Sequence, residues 1–325
     1  MKKRNLFPLF FLCCVAAFST NVNAADPWPL KIVTLVVPFA PGGGVDNVAR
    51  AVAAQMSESL PFPMVVENRV GAGGLVGARS VAQSAPDGHT LLMGTQTTLA
   101  VAPLLSKAAA FNPINVFSGV GQLGYSPMVL VAHPSFPAKT ISELISRAKS
   151  QPGQINYASG GIGTTPHMAG ALLELSTGIQ MTHVAYKGEQ PALTDVMGNQ
   201  VQLMFSNLPA AMPLVRGGKL QALAISSTQR SPTAPEIPTL MESGVFGFEA
   251  ATWFAIVTPK DTPKAIVDKM NAELIKALDN LKLKQKLEMQ GLSLQKSSPS
   301  QADKYIASEF DKWARVIKAS NISTD

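Results

Sequence analysis

Pro38-Phe39-Ala40-Pro41-Gly42-Gly43-Gly44-Val45-Asp46 follows the apolar run 32–37 and leads directly into a helical pattern over 45–59. One glycine suffices for a tight turn, and three in succession raise the entropic cost of folding, so the triplet predicts a loop that presents backbone N–H groups to a ligand. At a helix N-terminus such groups favour negative charge. Asp46, in the same first turn, opposes an anion at short range, so its expected role is to fix the loop. A second glycine-rich turn, Ser159-Gly160-Gly161-Ile162-Gly163-Thr164-Thr165, again separates a strand pattern from a helical one. Its two threonines add hydroxyl donors at a helix start. Two such cradles suggest one ligand held between two lobes; a pair of plain tight turns is the simpler alternative.

Outward from the first loop, β-rich runs alternate with helical periodicity: strand 32–37, helix 45–59, strand 64–67, helix 74–83, strand 90–94. Repeated β-α-β of this kind predicts an α/β fold with a mostly parallel sheet flanked by helices. Pro86-Asp87-Gly88 supplies the turn before the third strand. A second series starts near 128–132 and passes through a helix with the capping box Thr140-x-x-Glu143. A new lobe is expected after Pro152-Gly153, with strands at 155–158, 181–184, 201–205 and 222–225 and helices at 165–176, 190–197 and 209–216. Beyond the Pro-rich connection 231–238, an extended run 250–257 precedes helices opened by Thr262-Pro263 and Ser298-Pro299. The last helix is expected to turn Tyr305, Ile306, Phe310, Trp313, Val316 and Ile317 inward. The expected organisation is a discontinuous first domain, 25–125 plus 253–325, around an inserted second domain, 126–252, with a hinge where the chain crosses near 125–131 and 250–257.

The N-terminus reads as a targeting segment. Met1-Lys2-Lys3-Arg4 is basic, the apolar run 6–18 is too short to span a bilayer, and Val22-Asn23-Ala24 offers small residues for cleavage. Residues 1–24 are therefore expected to be a signal peptide, which implies export. Both cysteines, Cys13 and Cys14, lie within it, so the mature chain would form neither a disulfide nor a thiolate metal site. Cleavage would also remove Lys2, Lys3 and Arg4, halving the formal charge of +6. Only 15% of residues are charged, and no basic run with interleaved aromatics follows the segment, so no nucleic-acid partner is expected.

Catalytic and cofactor motifs fail at identifiable positions. His89, His133, His167 and His183 have no partner at metal-ligand spacing. Ser159, in Tyr-Ala-Ser-Gly-Gly, lacks the first glycine of a nucleophile elbow, and Ser126, in Gly-Tyr-Ser-Pro-Met, lacks the last. Gly71-Ala72-Gly73-Gly74-Leu75-Val76 puts valine where a dinucleotide fold needs its third glycine, and no lysine completes a phosphate loop. No metal, cofactor or catalytic residue is expected. His167 could pack in the core or line a pocket, and Lys187 reads most simply as a surface charge.

The same residues resemble the solute-binding proteins of tripartite tricarboxylate transporters, the Bug family. The resemblance spans the mature chain: the 38–46 loop, Val66-Glu67-Asn68-Arg69-Val70-Gly71-Ala72-Gly73-Gly74, Pro86-Asp87-Gly88-His89-Thr90-Leu91-Leu92, Asn156-Tyr157-Ala158-Ser159, Gly163-Thr164 with His167, and Tyr186-Lys187-Gly188. It implies a two-lobed periplasmic-binding-protein fold of type II-like form, with the ligand cleft between lobes. The implied function is capture of a small organic carboxylate and delivery to the membrane permease, by a periplasmic monomer. Carried over by residue, the implied ligand contacts are Phe39, Ala40, Gly42 and Gly43, then Thr95 and Thr97, then Ser159, Gly161, Gly163, Thr164 and His167, with Ser206 and Asn207 ending a strand of the second lobe. Phe39 could stack on an aromatic ligand or only wall the pocket.

Two departures stand out: Ser206 where many relatives carry Asp, and Ala171 where Glu is frequent. With two acids gone from the cleft, a ligand with a free amino group is expected to be disfavoured, for want of an anionic partner. Two other classes stay open, a secreted two-domain α/β enzyme acting on a small acid and a sensing module for a membrane signalling partner.

Overall fold

The computed structural model describes residues 28–106 and 111–323, so the expected signal peptide lies outside the described residues. The first lobe opens with β1 (Val33–Val37), α1 (Gly44–Ser57), β2 (Met64–Asn68), α2 (Leu75–Ala82) and β3 (Thr90–Thr95). A π-helical turn at Thr97–Val101 and two short helices, α3 (Ala102–Leu105) and α4 (Pro113–Val116), lead into β4 (Phe117–Ala132). The second lobe follows as α5 (Ile141–Ser150), β5 (Asn156–Ser159), α6 (Thr165–Thr177), β6 (Thr182–Ala185), α7 (Glu189–Met197), β7 (Leu203–Asn207), α8 (Leu208–Arg216) and β8 (Gln221–Ile225). The chain returns through β9 (Ala251–Pro259) and ends in α9 (Lys264–Leu278), α10 (Leu281–Met289), β10 (Ser293–Leu294) and α11 (Pro299–Ala319).

The strands follow the order β2-β1-β3-β9-β4-β7-β5-β6. Outer neighbours pair in parallel, β2 with β1, β1 with β3, β7 with β5 and β5 with β6. The crossing strands β4 and β9 pair antiparallel with each other and with their neighbours. The sheets are thus mixed, and the expectation of mostly parallel pairing is corrected, because each crossing strand runs against the β-α-β units it joins.

β4 is the main surprise. Only 128–132 read as strand in the sequence, yet the element extends over 16 residues. Its first part pairs with β9 and its last part lies between β7 and β8, so one strand belongs to both lobes. Gly119, Gly121 and Gly124 lie in its first part. In the fold they mark register shifts where other elements press close. A Cβ at Gly119 would lie 2.9 Å from that of Ala302, and one at Gly124 only 2.2 Å from the Ser293 carbonyl oxygen, with φ at +150°.

The apolar interior has three parts. One cluster runs continuously behind both lobes, from Val36 and Leu92 through Trp253 and Trp313 to Met128, Phe205 and Leu172. A second lies under α1 and α9, and a third under α7 and α8. The last two belong to separate lobes, so the molecule is joined at the back and divided at the front.

Caps follow the sequence closely. Thr140 Oγ1 accepts from the Glu143 amide, although the Glu143 carboxylate reaches the Lys139 N–H, one residue before the cap. Ser298 and Gln301 form a full reciprocal box. α10 was not expected, since its buried residues reduce to Leu283 and Leu287, too few to draw an apolar stripe. It is started by Asn280, whose side chain accepts from the Lys282 and Leu283 amides.

Candidate ligand-binding cleft

Asp46 organises the first glycine loop. One carboxylate oxygen accepts from the Gly42 amide at 2.9 Å and Arg50 Nε at 2.8 Å; the other accepts from Asn68 Nδ2 at 2.8 Å. Asn68 also donates to the Phe39 carbonyl and accepts from Arg50. Burial alone would push the Asp46 carboxyl up, but the bonds from Arg50, Gly42 and Asn68, with the Arg50 charge, hold it at about 2. Gly42 sits at φ +80°, the left-handed conformation that lets its N–H turn back to Asp46. That amide is therefore engaged. Gly43 is the cap of α1 and has an ordinary φ of −72°. It is exposed, as are Ala40 and Gly44. Phe39 packs half-buried against the first lobe's core.

At the end of β3, Thr95 turns inward, its amide donating to Thr98 Oγ1. Gln96 and Thr165 tie the lobes together: Thr165 Oγ1 donates to Gln96 Oε1 at 3.0 Å and accepts from Thr252 on β9 at 3.1 Å. Thr97 stays half-buried and lines a cavity of about 270 Å³, shared with Gly73 and Leu105 from the first lobe and Gly163 from the second.

The second glycine loop is held from beneath by histidines. Ser159 Oγ accepts from the Gly161 amide and lies 2.7 Å from His183 Nε2. His167 Nδ1 accepts from the Gly163 amide at 3.0 Å, and Thr164 Oγ1 donates to the Gly161 carbonyl. The rings of His167 and His183 stack with centroids 3.8 Å apart. Burial, reinforced by the neighbouring ring, lowers His167 to about 3, and burial lowers His183 to about 4. Both rings are neutral near neutral pH. On the flank, Tyr186 donates to Asp195 at 2.6 Å, and burial with that bond pushes its hydroxyl up to about 12.

Between the divided fronts lies a cavity of about 430 Å³. Gly44, Val45 and Asn47 from the start of α1 form one wall, and Glu189 and Asn207 from the second lobe form the other. Ser126 and Thr252, on the crossing strands, also line it.

Apart from Phe39, packed on the first lobe's core, and Gly42, whose amide Asp46 has taken, the expected contacts divide into two groups. Ala40, Gly43, Thr97, Gly161, Thr164 and Asn207 remain accessible, and Gly163, though buried, lines the smaller cavity. Thr95, Ser159, His167 and Ser206 are buried, and their side chains hold loops. Each of these four has at least one side-chain polar atom bonded within the protein, so in this structure they act as supports of the loops. Residues absent from the expectation are Asn68 and Arg50, which fix the first loop, and Glu189. Asn68 could have been found from its place in the 66–74 motif; Glu189 reads in sequence only as an acid at a helix start.

Comparison with known proteins agrees with this architecture. Residues 48–322 match the model of the tripartite tricarboxylate transporter family receptor. The chain belongs to this family. Its relatives include BugT of Bordetella pertussis, 35% identical over 296 residues, 91% of this chain and 91% of BugT. Among solved structures, an R. palustris protein with adipate is 34% identical with a TM-score of 0.78, covering 91% of this chain and 99% of its own. The periplasmic binding protein BugD is likewise 34% identical, with a TM-score of 0.74 over 91% of this chain and 99% of its own. Like other receptors of the tripartite tricarboxylate transporter family, this protein is a two-lobed solute-binding protein.

The histidine pair is expected to make this receptor acid-sensitive. Both rings bind protons less readily in the folded state than at their ordinary value of 6.5. Their stabilising contribution is therefore complete above pH 6.5 and is lost as pH falls toward about 4 and then about 3. At pH 5 the expected loss is about 2 kcal/mol per ring. Urea midpoints compared at neutral pH and pH 5 check this, and His183→Gln should remove roughly half of the difference.

Proposed function

We propose that this protein is a periplasmic receptor that captures a small organic carboxylate between its lobes and hands it to the membrane subunits of a tripartite tricarboxylate-type transporter. The observation that carries the reading is the cavity flanked by the first turn of α1 and by Asn207. Free amides at that turn favour negative charge without a compensating cation. The proposed contacts are the backbone of Ala40, Gly43 and Gly44, with Thr97, Gly161, Gly163, Thr164 and Asn207. Phe39 and Gly42 shape the first loop. The related R. palustris protein with adipate supports a carboxylate as the ligand class.

Residues 1–24 are proposed to direct export and to be removed. Residues 25–125 with 253–325 and residues 126–252 are proposed as the two domains, hinged at β4 and β9. Closure would follow from contacts made only when both walls face the ligand. Neutral donors suit a delivery protein: micromolar affinity requires about 8 kcal/mol, which a few charge-assisted hydrogen bonds can supply while release stays fast. Binding without chemical change of the acid is the reading; the protein acts as carrier and not as enzyme.

A thermal-shift screen over mono-, di- and tricarboxylates, followed by calorimetry of any hit, tests this. Gly43→Leu is the matched control. A Cβ at Gly43 meets nothing closer than the Ala40 carbonyl at 3.5 Å, so the fold is retained while the side chain covers the amides. The expected result is a stabilising carboxylate, recovered unaltered, whose affinity falls at least about tenfold in the variant. Turnover of the acid, or unchanged affinity in Gly43→Leu, would refute the reading.

A further inference from the structure

The cleft contains a fixed negative charge that the sequence alone did not reveal. Glu189, the first residue of α7, turns its carboxylate onto the end of β7. One oxygen accepts from Ser206 Oγ at 2.7 Å and the Asn207 amide at 2.8 Å, and the other accepts from Asn207 Nδ2 at 2.9 Å. All three donors are neutral and belong to the same lobe. Among the residues lining the 430 Å³ cavity, Glu189 is the sole charged side chain. A carboxylate offers about four acceptor sites, so one remains for a further donor.

Ser206 is the position where the expected aspartate is missing, and Glu189 brings a carboxylate to that place from the adjacent helix. The earlier expectation that an amino group lacks an anionic partner therefore loses its premise. The facing wall has the opposite character. Gly44 and Val45 present the positive end of α1, while Asp46 is held by Arg50, Asn68 and the Gly42 amide. The cavity is polarised, with one wall that favours an anion and another that is itself anionic.

We infer that Glu189 sets the ligand class of this cleft: a carboxylate that also carries an ammonium group, rather than a plain diacid. The carboxylate lies at the α1 turn and the ammonium at Glu189. A diacid spanning the same walls would place a second carboxylate against that of Glu189, and like charges in a partly enclosed site repel. This inference rests on the carboxylate-receptor reading above.

Calorimetry on the mature protein with matched pairs tests it: aspartate against succinate, glutamate against glutarate, 2-aminoadipate against adipate. The amino member of the preferred length is expected to bind at least about tenfold more tightly than its diacid. Glu189→Gln keeps an oxygen for Ser206 and the Asn207 amide and removes the charge; its new NH2 faces the Asn207 side chain, whose amide can rotate to present its oxygen, so the loop bonds are retained without the charge. It should reduce the preference at least about tenfold, and the double variant Glu189→Ser with Ser206→Asp should restore it by returning the charge to the strand. Tighter binding of the diacid, or an amino preference unchanged in Glu189→Gln, overturns the role of Glu189 and leaves the carboxylate reading standing. Failure of every acid to bind, in a protein that melts cooperatively, overturns both.

Discussion

Asp46→Ala is expected to lower the melting temperature by about 5–10 °C and to weaken carboxylate binding more than about tenfold. The size follows from what the carboxylate holds. It is 1% exposed and receives the Gly42 amide, Arg50 Nε and Asn68 Nδ2. Hydrogen bonds to a charged group contribute about 1.5–3 kcal/mol each. Arg50 is half-exposed and would return to water at little cost, so most of the loss comes from Gly42 and Asn68. With Gly42 released, the glycine loop loses the tie that fixes the α1 turn, and binding suffers beyond the change in stability. Asp46→Asn tests the electrostatic part, since it keeps the shape but can donate where the carboxylate only accepts. Calorimetry below the transition of each variant separates binding from unfolding. Full affinity in a destabilised Asp46→Ala protein would show that the loop needs no such tie.

The second large effect concerns the attachment of α11. Glu309 is 5% exposed, and one of its oxygens accepts from both indoles, Trp253 Nε1 at 2.8 Å and Trp313 Nε1 at 3.0 Å. Lys312 pairs with the other oxygen. Both tryptophans are buried, so Glu309→Ala leaves two indole N–H groups without a partner, at about 1–3 kcal/mol each, together with a cavity. The expected loss is about 3–5 kcal/mol, comparable to breaking other buried charge networks. Glu309→Gln retains one acceptor oxygen and should lose roughly half as much. Urea unfolding followed by tryptophan fluorescence reads both variants directly. A loss under about 1 kcal/mol in Glu309→Ala would mean that α11 docks by its apolar face alone.

Much of the architecture could be read along the chain because it depends on local signals. The β-α-β alternation, the Thr140 and Ser298 caps and the two glycine loops lie in contiguous residues whose periodicity or turn chemistry is self-contained. Asp46 belongs with them: its role as a loop-fixing acid follows from its place four residues after Gly42, the amide it binds.

What escaped the sequence depends on residues far apart in the chain. β4 was read only at 128–132, because the close approach of the Ala302 side chain to Gly119 and of the Ser293 backbone to Gly124 leaves no local pattern. Glu309 carries no local signal of its role, since its donor Trp253 lies 56 residues away. His167 was balanced between core and pocket, and only the fold shows it stacked on His183 from β6 and accepting from the Gly163 amide. Glu189 and Ser206 lie 17 residues apart, and only their meeting at the cleft moves a negative charge from strand to helix. The amino-acid sequence by itself determined the fold class and the two loops, since local periodicity and turn chemistry are sufficient for these, and its ordered motifs carried the resemblance to the family. The tertiary structure decided which polar groups remain available to a ligand and what charge faces it, because availability and field depend on which distant side chains have already taken each donor and acceptor.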